Sequence, residues 1–492
     1  MKILLVYPEC PDTFWSFRHA LRMISKKAVM PPLGLLTVAA MLPAAWEKKL
    51  VDMGVELLRD KDIAWADYVF ISAMRIQKAS VDRIVDRCKK LGAKIVAGGP
   101  LFTSGYERSH EIDHLVLNEA EITLPVFLKD LSEGHPEYIY TSRERANLAA
   151  TPVPAWELAD FRKYACMPVQ YSRGCPFSCD FCDVTLLFGN RIRTKSSEQV
   201  LAEMERLYAR GWRDPVFFVD DNLIGNKKRL KEELLPAMTG WMKKKKHPFA
   251  LNTQVSINLC DDDELMQQMA MAGFDTVFVG IETPDDRSLA ECHKSQNMHR
   301  DLVASVRKIQ SFGLQVQGGF ILGFDSDTPS IFANLTKFIQ ESGIVTAMVG
   351  LLNAPPGTAL YKRLLKEKRV IKTASGDNTD LSMNFVPKMD YDELAAGYKR
   401  VVQKIYSSKL YYERIITFLK NYKPLRTGGF RLHTYAIKGF LKSIWILGVR
   451  SKGRFYYWKL LLWSLLRRPR LFPLAVTLAV CGFHFRKVFA HD

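Results

Sequence analysis

Two stretches of this chain alternate short apolar runs with helical patterns, and that alternation restricts the fold more than any other feature. Parallel neighbours in a sheet need a crossover, and a helix supplies it, so such a sequence builds parallel α/β layers. In residues 1–136 the predicted strands lie at 3–7, 49–52, 68–72, 94–97 and 114–117, with helical patterns near 33–43, 79–91 and 121–132. This predicts a Rossmann-like parallel-sheet domain whose ligand sits beyond the carboxyl ends of its strands. Small residues fall there: Ser72-Ala73 and Gly98-Gly99-Pro100. The first strand leads into a long loop from Pro8 to Pro32, with no glycine-rich turn into a helix, which argues against a nicotinamide or flavin dinucleotide.

Residues 137–164 read as a linker, since Ala149-Ala150-Thr151-Pro152-Val153-Pro154 suits neither helix nor strand. In residues 165–360 six further strands are predicted, at 168–171, 216–220, 250–255, 276–281, 315–322 and 347–352, separated by helical patterns such as 197–210 and 263–272. Six β/α units in series predict a partial (β/α)6 barrel, and function in barrels collects at the C-terminal strand ends. The polar signatures lie at those ends: a cysteine cluster, Asp220-Asp221-Asn222, Glu282-Thr283-Pro284 and Asp325. Residues 361–410 read as a helical extension and 411–492 as a mainly helical basic C-terminal region.

The cysteines stand in Gly174-Cys175-Pro176-Phe177-Ser178-Cys179-Asp180-Phe181-Cys182. Three thiolates within eight residues can wrap one side of a cubane iron–sulfur cluster. Such clusters usually take four protein thiolates. Cys166 is near in sequence but precedes the first barrel strand, so three ligands are expected and one iron is left open to a small molecule. Structural zinc wants four ligands, usually in paired C-x2-C knuckles, and no second knuckle is present.

The C-x3-C-x2-C spacing, with an aromatic residue before the last cysteine, resembles the radical S-adenosylmethionine superfamily. The resemblance implies a [4Fe–4S] cluster on Cys175, Cys179 and Cys182, with S-adenosylmethionine on the open iron. It implies cofactor contacts from Glu282 in Gly280–Pro284, from Gly318 and Gly319 in Gly318–Gly323, and from Phe181 over the adenine. Asp220 holds the place where the superfamily often has Gly-Gly-Glu, a motif absent here. A Rossmann-like domain directly before such a barrel resembles the superfamily's cobalamin-binding class. Met30–Leu35, Gly98-Gly99-Pro100 and Asn118-Glu119-Ala120-Glu121 look like that class's loop signatures and imply a corrin ring lined by Ser72, Gly98, Gly99, Pro100, Asn118 and Glu119. Met74, with Arg75, is expected beneath the ring. The D-x-H-x-x-G motif that supplies a cobalt-binding histidine is missing, since Asp113-His114-Leu115 does not match it. Domain order and tail together give a layout similar to that of the hopanoid C-2 methylases. The activity this implies is reductive cleavage of S-adenosylmethionine, hydrogen removal from an unactivated carbon and methyl transfer from methylcobalamin, with a flavodoxin- or ferredoxin-type electron donor. A non-methylating radical enzyme is the nearest alternative. A methylthiotransferase acting on RNA would carry three further cluster cysteines upstream, where only the scattered Cys10, Cys88 and Cys166 stand. A cobalamin or redox sensor without turnover would not cleave S-adenosylmethionine.

Charge is uneven along the chain. Residues 401–492 hold 18 Lys and Arg against Glu413 and Asp492, a net +16 of the chain's +18. Residues 441–490 mix these with Phe455-Tyr456-Tyr457-Trp458 and Trp463, leucine runs and the helix-breaking Pro469 and Pro473. The apolar runs are too short for a bilayer span of about 20 residues. They suit amphipathic helices in a membrane interface, with burial of Trp458, Trp463 and neighbouring leucines. Packing of the same stripe on the barrel is the competing expectation. The aliphatic richness argues against RNA. Nine cysteines and an N-terminal apolar run too short for a signal peptide predict a cytoplasmic protein. The tail would place it peripherally on the inner, anionic face of the cytoplasmic membrane, acting on an apolar small molecule.

Overall fold

The computed structural model describes residues 1–377, 379–425 and 434–489. Part of the basic tail, 426–433 and 490–492, therefore lies outside the described residues.

The N-terminal sheet contains β1 (Lys2–Tyr7), β2 (Glu47–Asp52), β3 (Tyr68–Ser72), β4 (Lys94–Gly98), β5 (His114–Val116) and β6 (Ile139–Tyr140). Their order is β2-β1-β3-β4-β5-β6, and every pair is parallel. Helices Leu33–Met41, Lys78–Lys90 and Ala120–Glu133 cover the two faces. Ile3, Leu4, Leu5 and Val6 are all buried, because a strand between two helix layers has no solvent side. The order reverses between β1 and β3, the switch point at which such sheets open a ligand crevice. The two-residue β6 was not anticipated. Its edge pairing is too short to leave a pattern, and it falls inside the stretch read as linker.

The barrel sheet has the order β14-β13-β12-β11-β10-β7 and is parallel throughout. β7 (Met167–Val169) leads into β8 (Ser172–Arg173), which pairs antiparallel with β9 (Arg193–Thr194) as a two-residue ribbon. The other barrel strands are β10 (Val216–Phe218), β11 (Leu251–Val255), β12 (Phe274–Glu282), β13 (Gln315–Leu322) and β14 (Ala347–Leu351). Helix Ser197–Ala209 starts with a capping box, Ser196 accepting from Gln199 N and Gln199 accepting from Ser196 N. The six predicted barrel strands are all present.

The C-terminal region is helical and partly packs on the barrel. Helix Ser408–Asn421 lies against helix Ile331–Ser342, where Gly343 makes room for Phe418. Arg414 is fully buried there and donates to Gln340 and to the carbonyls of Ile405 and Val345. The segment Pro469–Val488 is long and apolar enough to cross a bilayer by length and composition. One of its faces is nonetheless protein core: Phe485 stacks on Phe14 at 4.3 Å, and Gly482 lies against Tyr411. The long loop after β1 thus serves as a joint between the two ends of the chain.

Candidate active site at the facing strand ends

The ribbon β8–β9 closes the base of the loop carrying the three cysteines. Asp220, at the end of β10, is fully buried and accepts from Tyr171 N at 3.1 Å, from Ser172 N and from Ser172 Oγ at 2.5 Å. Its oxygens are committed to the start of the cysteine loop. In this arrangement Asp220, expected to meet S-adenosylmethionine, braces the start of that loop. Its neighbour Asp221 is only partly buried and accepts one long bond from Gly174 N, 3.4 Å. Burial pushes the Asp221 carboxyl up to about 7.

Cys175, Cys179 and Cys182 are each half-buried on this loop. Burial raises all three thiols, Cys182 to about 12, so in the ligand-free chain they carry protons that metal binding would release. Their sulfurs do not form a group lying within 4.8 Å of one another. Cys166 is buried at the start of β7, its thiol toward the Met167 carbonyl. Cys292 comes close to Cys179, but its thiol is buried and turned to the Leu289 carbonyl at 3.5 Å.

The loop after β12 folds over the cysteines. Cys292 O accepts from Asp180 N at 3.2 Å, and Gln296 Nε2 lies 3.9 Å from Cys179 Sγ. Lys294 pairs with Glu282 at 2.7 Å and sits 6.0 Å above the Phe181 ring. Burial alone would lower its pKa, but the Glu282 carboxylate bonded to it acts against burial, and the ammonium is held above the usual lysine range. Glu282 is itself buried, with φ of 64°, beyond a register shift in β12. Lys294 and Gln296 were missed from sequence because His293-Lys294-Ser295-Gln296 carries no recognisable spacing.

Both glycines of β13 lie against side chains of the barrel. A Cβ on Gly318 would strike the Phe320 ring at 2.8 Å and Ile344 at 3.2 Å, so Gly318 belongs to packing beneath the helix layer. A Cβ on Gly319 would strike Phe278 at 2.7 Å, and that ring covers it. Asp325 is held by Arg363 and Arg369 at 2.8 and 2.6 Å, an ion-paired rim.

Facing the barrel, the ends of β3, β4 and β5 open on a cavity of about 320 Å³. Ser72, Gly98, Gly99, Pro100, Asn118 and Glu119 line it, with Gly34 and Leu124 opposite and Gln170, Arg173 and Phe188 from the barrel side. Gly99 has φ of +87°, and a Cβ there would lie 2.6 Å from Ser72 Oγ, so only glycine permits this approach. Among the described residues no histidine lines the cavity. Met74 is not in the lining either: it is exposed, and Arg75 beside it is tied to Ser104. A shallower cavity of about 460 Å³ at Ala39, Lys48, Val153 and Arg206 contains none of these strand-end residues.

A charged seam joins the two domains. Arg173 and Arg193 stand directly opposite each other on the ribbon, a repulsive arrangement by itself. Arg193 reaches Glu119 at 2.8 Å, and Arg173 reaches Glu119 at 3.2 Å and Glu121 at 2.6 Å. Glu119 also accepts from Ala146 N at 2.6 Å. Although it borders the cavity, its carboxylate is spent on the seam. It fastens the cysteine loop to the N-terminal domain.

Residues 21–128 match the B12 binding domain, residues 169–339 the radical SAM superfamily and residues 358–491 a domain of unknown function. An uncharacterized methyltransferase of Synechocystis is 38% identical over 99% of this chain and 91% of its own length. Hopanoid C-2 methylase of Rhodopseudomonas palustris is 33% identical over 95% of this chain and 90% of its own. The radical S-adenosylmethionine methyltransferase TsrM of Kitasatospora setae, solved with cobalamin and a [4Fe–4S] cluster, shares the fold at a TM-score of 0.59 and 15% identity, covering 92% of this chain and 97% of that one. With its facing strand ends and this likeness over nearly its whole length, the chain belongs to the cobalamin-dependent radical S-adenosylmethionine methyltransferases.

Proposed function

We propose that this enzyme C-methylates an apolar, membrane-resident substrate at an unactivated carbon while docked on an anionic lipid surface. The observation that carries this reading is an apolar face on the C-terminal helices. Ile437, Leu441, Trp445 and Val449 follow one another at helical spacing and are exposed, as are Phe455, Leu462, Leu465 and Leu466, the last by 78%. Lys438, Lys442, Arg450, Arg454 and Lys459 border them. A contiguous exposed apolar face rimmed by cations is the signature of an interfacial surface. Its composition also differs from expectation: Trp463 packs inward and Trp458, half exposed, donates to Gly448 O at 3.0 Å. The aliphatic side chains offer no stacking platform for RNA bases. The named substrates of relatives are apolar too, hopanoids and, at 25% identity over 74% of this chain, bacteriochlorophyllide d.

In this reading Cys175, Cys179 and Cys182 hold the cluster. Lys294, with Glu282, supplies a fixed cation beside it, and Phe181 shields it from the substrate side. Ser72, Gly98, Gly99, Pro100 and Asn118 border the corrin. When bound, the cluster supplies an electron to S-adenosylmethionine for hydrogen removal, and cobalamin carries the methyl group. The buried seam of Glu119, Glu121, Arg173 and Arg193 keeps the two cofactor sites in register. A flavodoxin- or ferredoxin-type protein serves as the electron donor. The test is cosedimentation with anionic and with neutral vesicles, followed by mass analysis of a hopanoid carried in the anionic ones. Binding to anionic vesicles that Leu462→Glu with Leu466→Glu weakens, with a product heavier by one methyl group, supports the proposal. Equal sedimentation by wild type and variant would remove the membrane role.

A further inference from the structure

The segment after β1 meets the C-terminal helix Phe472–Val488 through three side chains that the methylation chemistry does not use. One donor atom each of Asp12, His19 and His484 lies within 4.8 Å of the other two. His484 is fully buried, and its Nε2 lies 3.0 Å from Phe14 O and 3.2 Å from Thr13 O. Carbonyls only accept, so Nε2 carries the proton and Nδ1 presents a lone pair. That Nδ1 is buried and has no hydrogen-bond partner. His19 Nε2 lies 2.8 Å from Asp12 Oδ2, yet it makes no directed hydrogen bond. The other oxygen of Asp12 accepts from Ser16 Oγ at 2.6 Å. Two of these contacts are the outer-shell support that metal ligands need: the backbone carbonyls fix the His484 tautomer, and the Ser16 hydroxyl orients the Asp12 carboxylate.

We propose that Asp12, His19 and His484 bind a divalent transition-metal ion of the zinc class. Two imidazoles and one carboxylate are a complete first set for such an ion, with water in the remaining position. The ion ties the N-terminal segment to the last helix, next to the stacked pair Phe14 and Phe485. It therefore clasps the cobalamin-binding domain to the C-terminal region. The other cluster of this kind, Asp130, Glu133 and His135, lies on an exposed helix end and has no buried unpartnered donor atom.

The test uses the full chain with its iron–sulfur cluster assembled, equilibrated with low-micromolar Zn²⁺ and desalted. One zinc per chain beyond the cluster iron is expected. Its K-edge absorption should show nitrogen and oxygen at about 2.0–2.2 Å and no sulfur at about 2.3 Å. Zinc should be lost in His19→Gln and kept in His135→Gln, and it should raise the thermal midpoint of wild type but not of His19→Gln. The wild-type spectrum decides the matter even if a variant folds poorly. Absence of retained zinc, sulfur ligation, or retention by a folded His19→Gln would overturn the proposal.

Discussion

The seam between the domains and the outer face of the C-terminal helices are both rich in arginine and lysine, and they use that charge in opposite ways. At the seam Arg173 and Arg193 are mostly buried, and their partners Glu119 and Glu121 are almost wholly so. Buried charge is tolerable only when paired and hydrogen-bonded, and here it is. On the outer face no Lys or Arg from 404 to 487 makes an ion pair with a carboxylate among the described residues, while leucines beside them stand in solvent. Some of them turn to the protein instead: Arg414 and Arg468 donate to backbone carbonyls, Arg468 to those of Leu419, Lys420 and Tyr422 at a helix C-terminus, Lys442 donates to Arg22 O, and Arg486 packs over Tyr411 and Tyr412. Charge matched internally holds this molecule together. Unmatched charge beside apolar surface is available to something outside it.

The largest expected effect lies on the inner side of this contrast. Replacing Cys175, Cys179 and Cys182 together by Ala should abolish the cluster's visible absorbance and all cleavage of S-adenosylmethionine. Iron content that survived the triple substitution would refute the site. Next, Glu119→Ala leaves two arginines buried opposite each other and should cost about 3–5 kcal/mol in urea unfolding. A change under about 0.5 kcal/mol would show the seam to be ornamental. On the outer side, Leu462→Glu with Leu466→Glu should leave stability within about 0.5 kcal/mol. The same pair should weaken binding to anionic vesicles by about 2 kcal/mol or more, since each leucine contributes roughly 1.5–3 kcal/mol when buried. Basic residues contribute about 1 kcal/mol each, so the remaining binding should fall with added salt. Loss of stability instead would mean that this face is core. The smallest effect concerns Asp325. Burial alone would raise its carboxyl, but Arg369 and Arg363 outweigh that and hold it at about 2. A depressed carboxylate stabilises above its unfolded pKa of about 3.9, and that contribution disappears as pH falls through the folded value. Asp325→Asn should therefore cost roughly 1–2 kcal/mol at neutral pH, a difference that shrinks as the pH falls toward about 2 and vanishes below it. A difference independent of pH would place the effect in packing.

Much of this was legible in the sequence. Strand–helix alternation carries both sheets, because a parallel strand buried on two faces must be an apolar run such as Ile3–Val6. The cysteine spacing carries the cluster site, because three ligands from one loop are necessarily close in sequence. What was not legible depends on contacts across long separations. Asp220 reads as a strand-end ligand, yet its oxygens go to a loop 48 residues earlier in the chain. Glu119 reads as a cofactor contact, yet it is claimed by arginines 54 and 74 residues away. Gly318 and Gly319 look like approaches for adenine, but the rings filling their space come from their own sheet. Lys294 was invisible because a cation over a cluster has no fixed sequence offset from it.

The central claim is that the strand-end cavity facing the cysteine loop seats cobalamin without a histidine ligand. Gly34 lines that cavity, and a Cβ added there meets no protein atom within 4 Å, so Gly34→Trp starts from open space at the cavity wall. Electron paramagnetic resonance of the full chain loaded with cob(II)alamin tests the claim most directly. The account predicts one cobalamin per chain, no nitrogen superhyperfine splitting from an axial ligand, and loss of binding in Gly34→Trp. A clear nitrogen triplet, or cobalamin retained by Gly34→Trp, would contradict it.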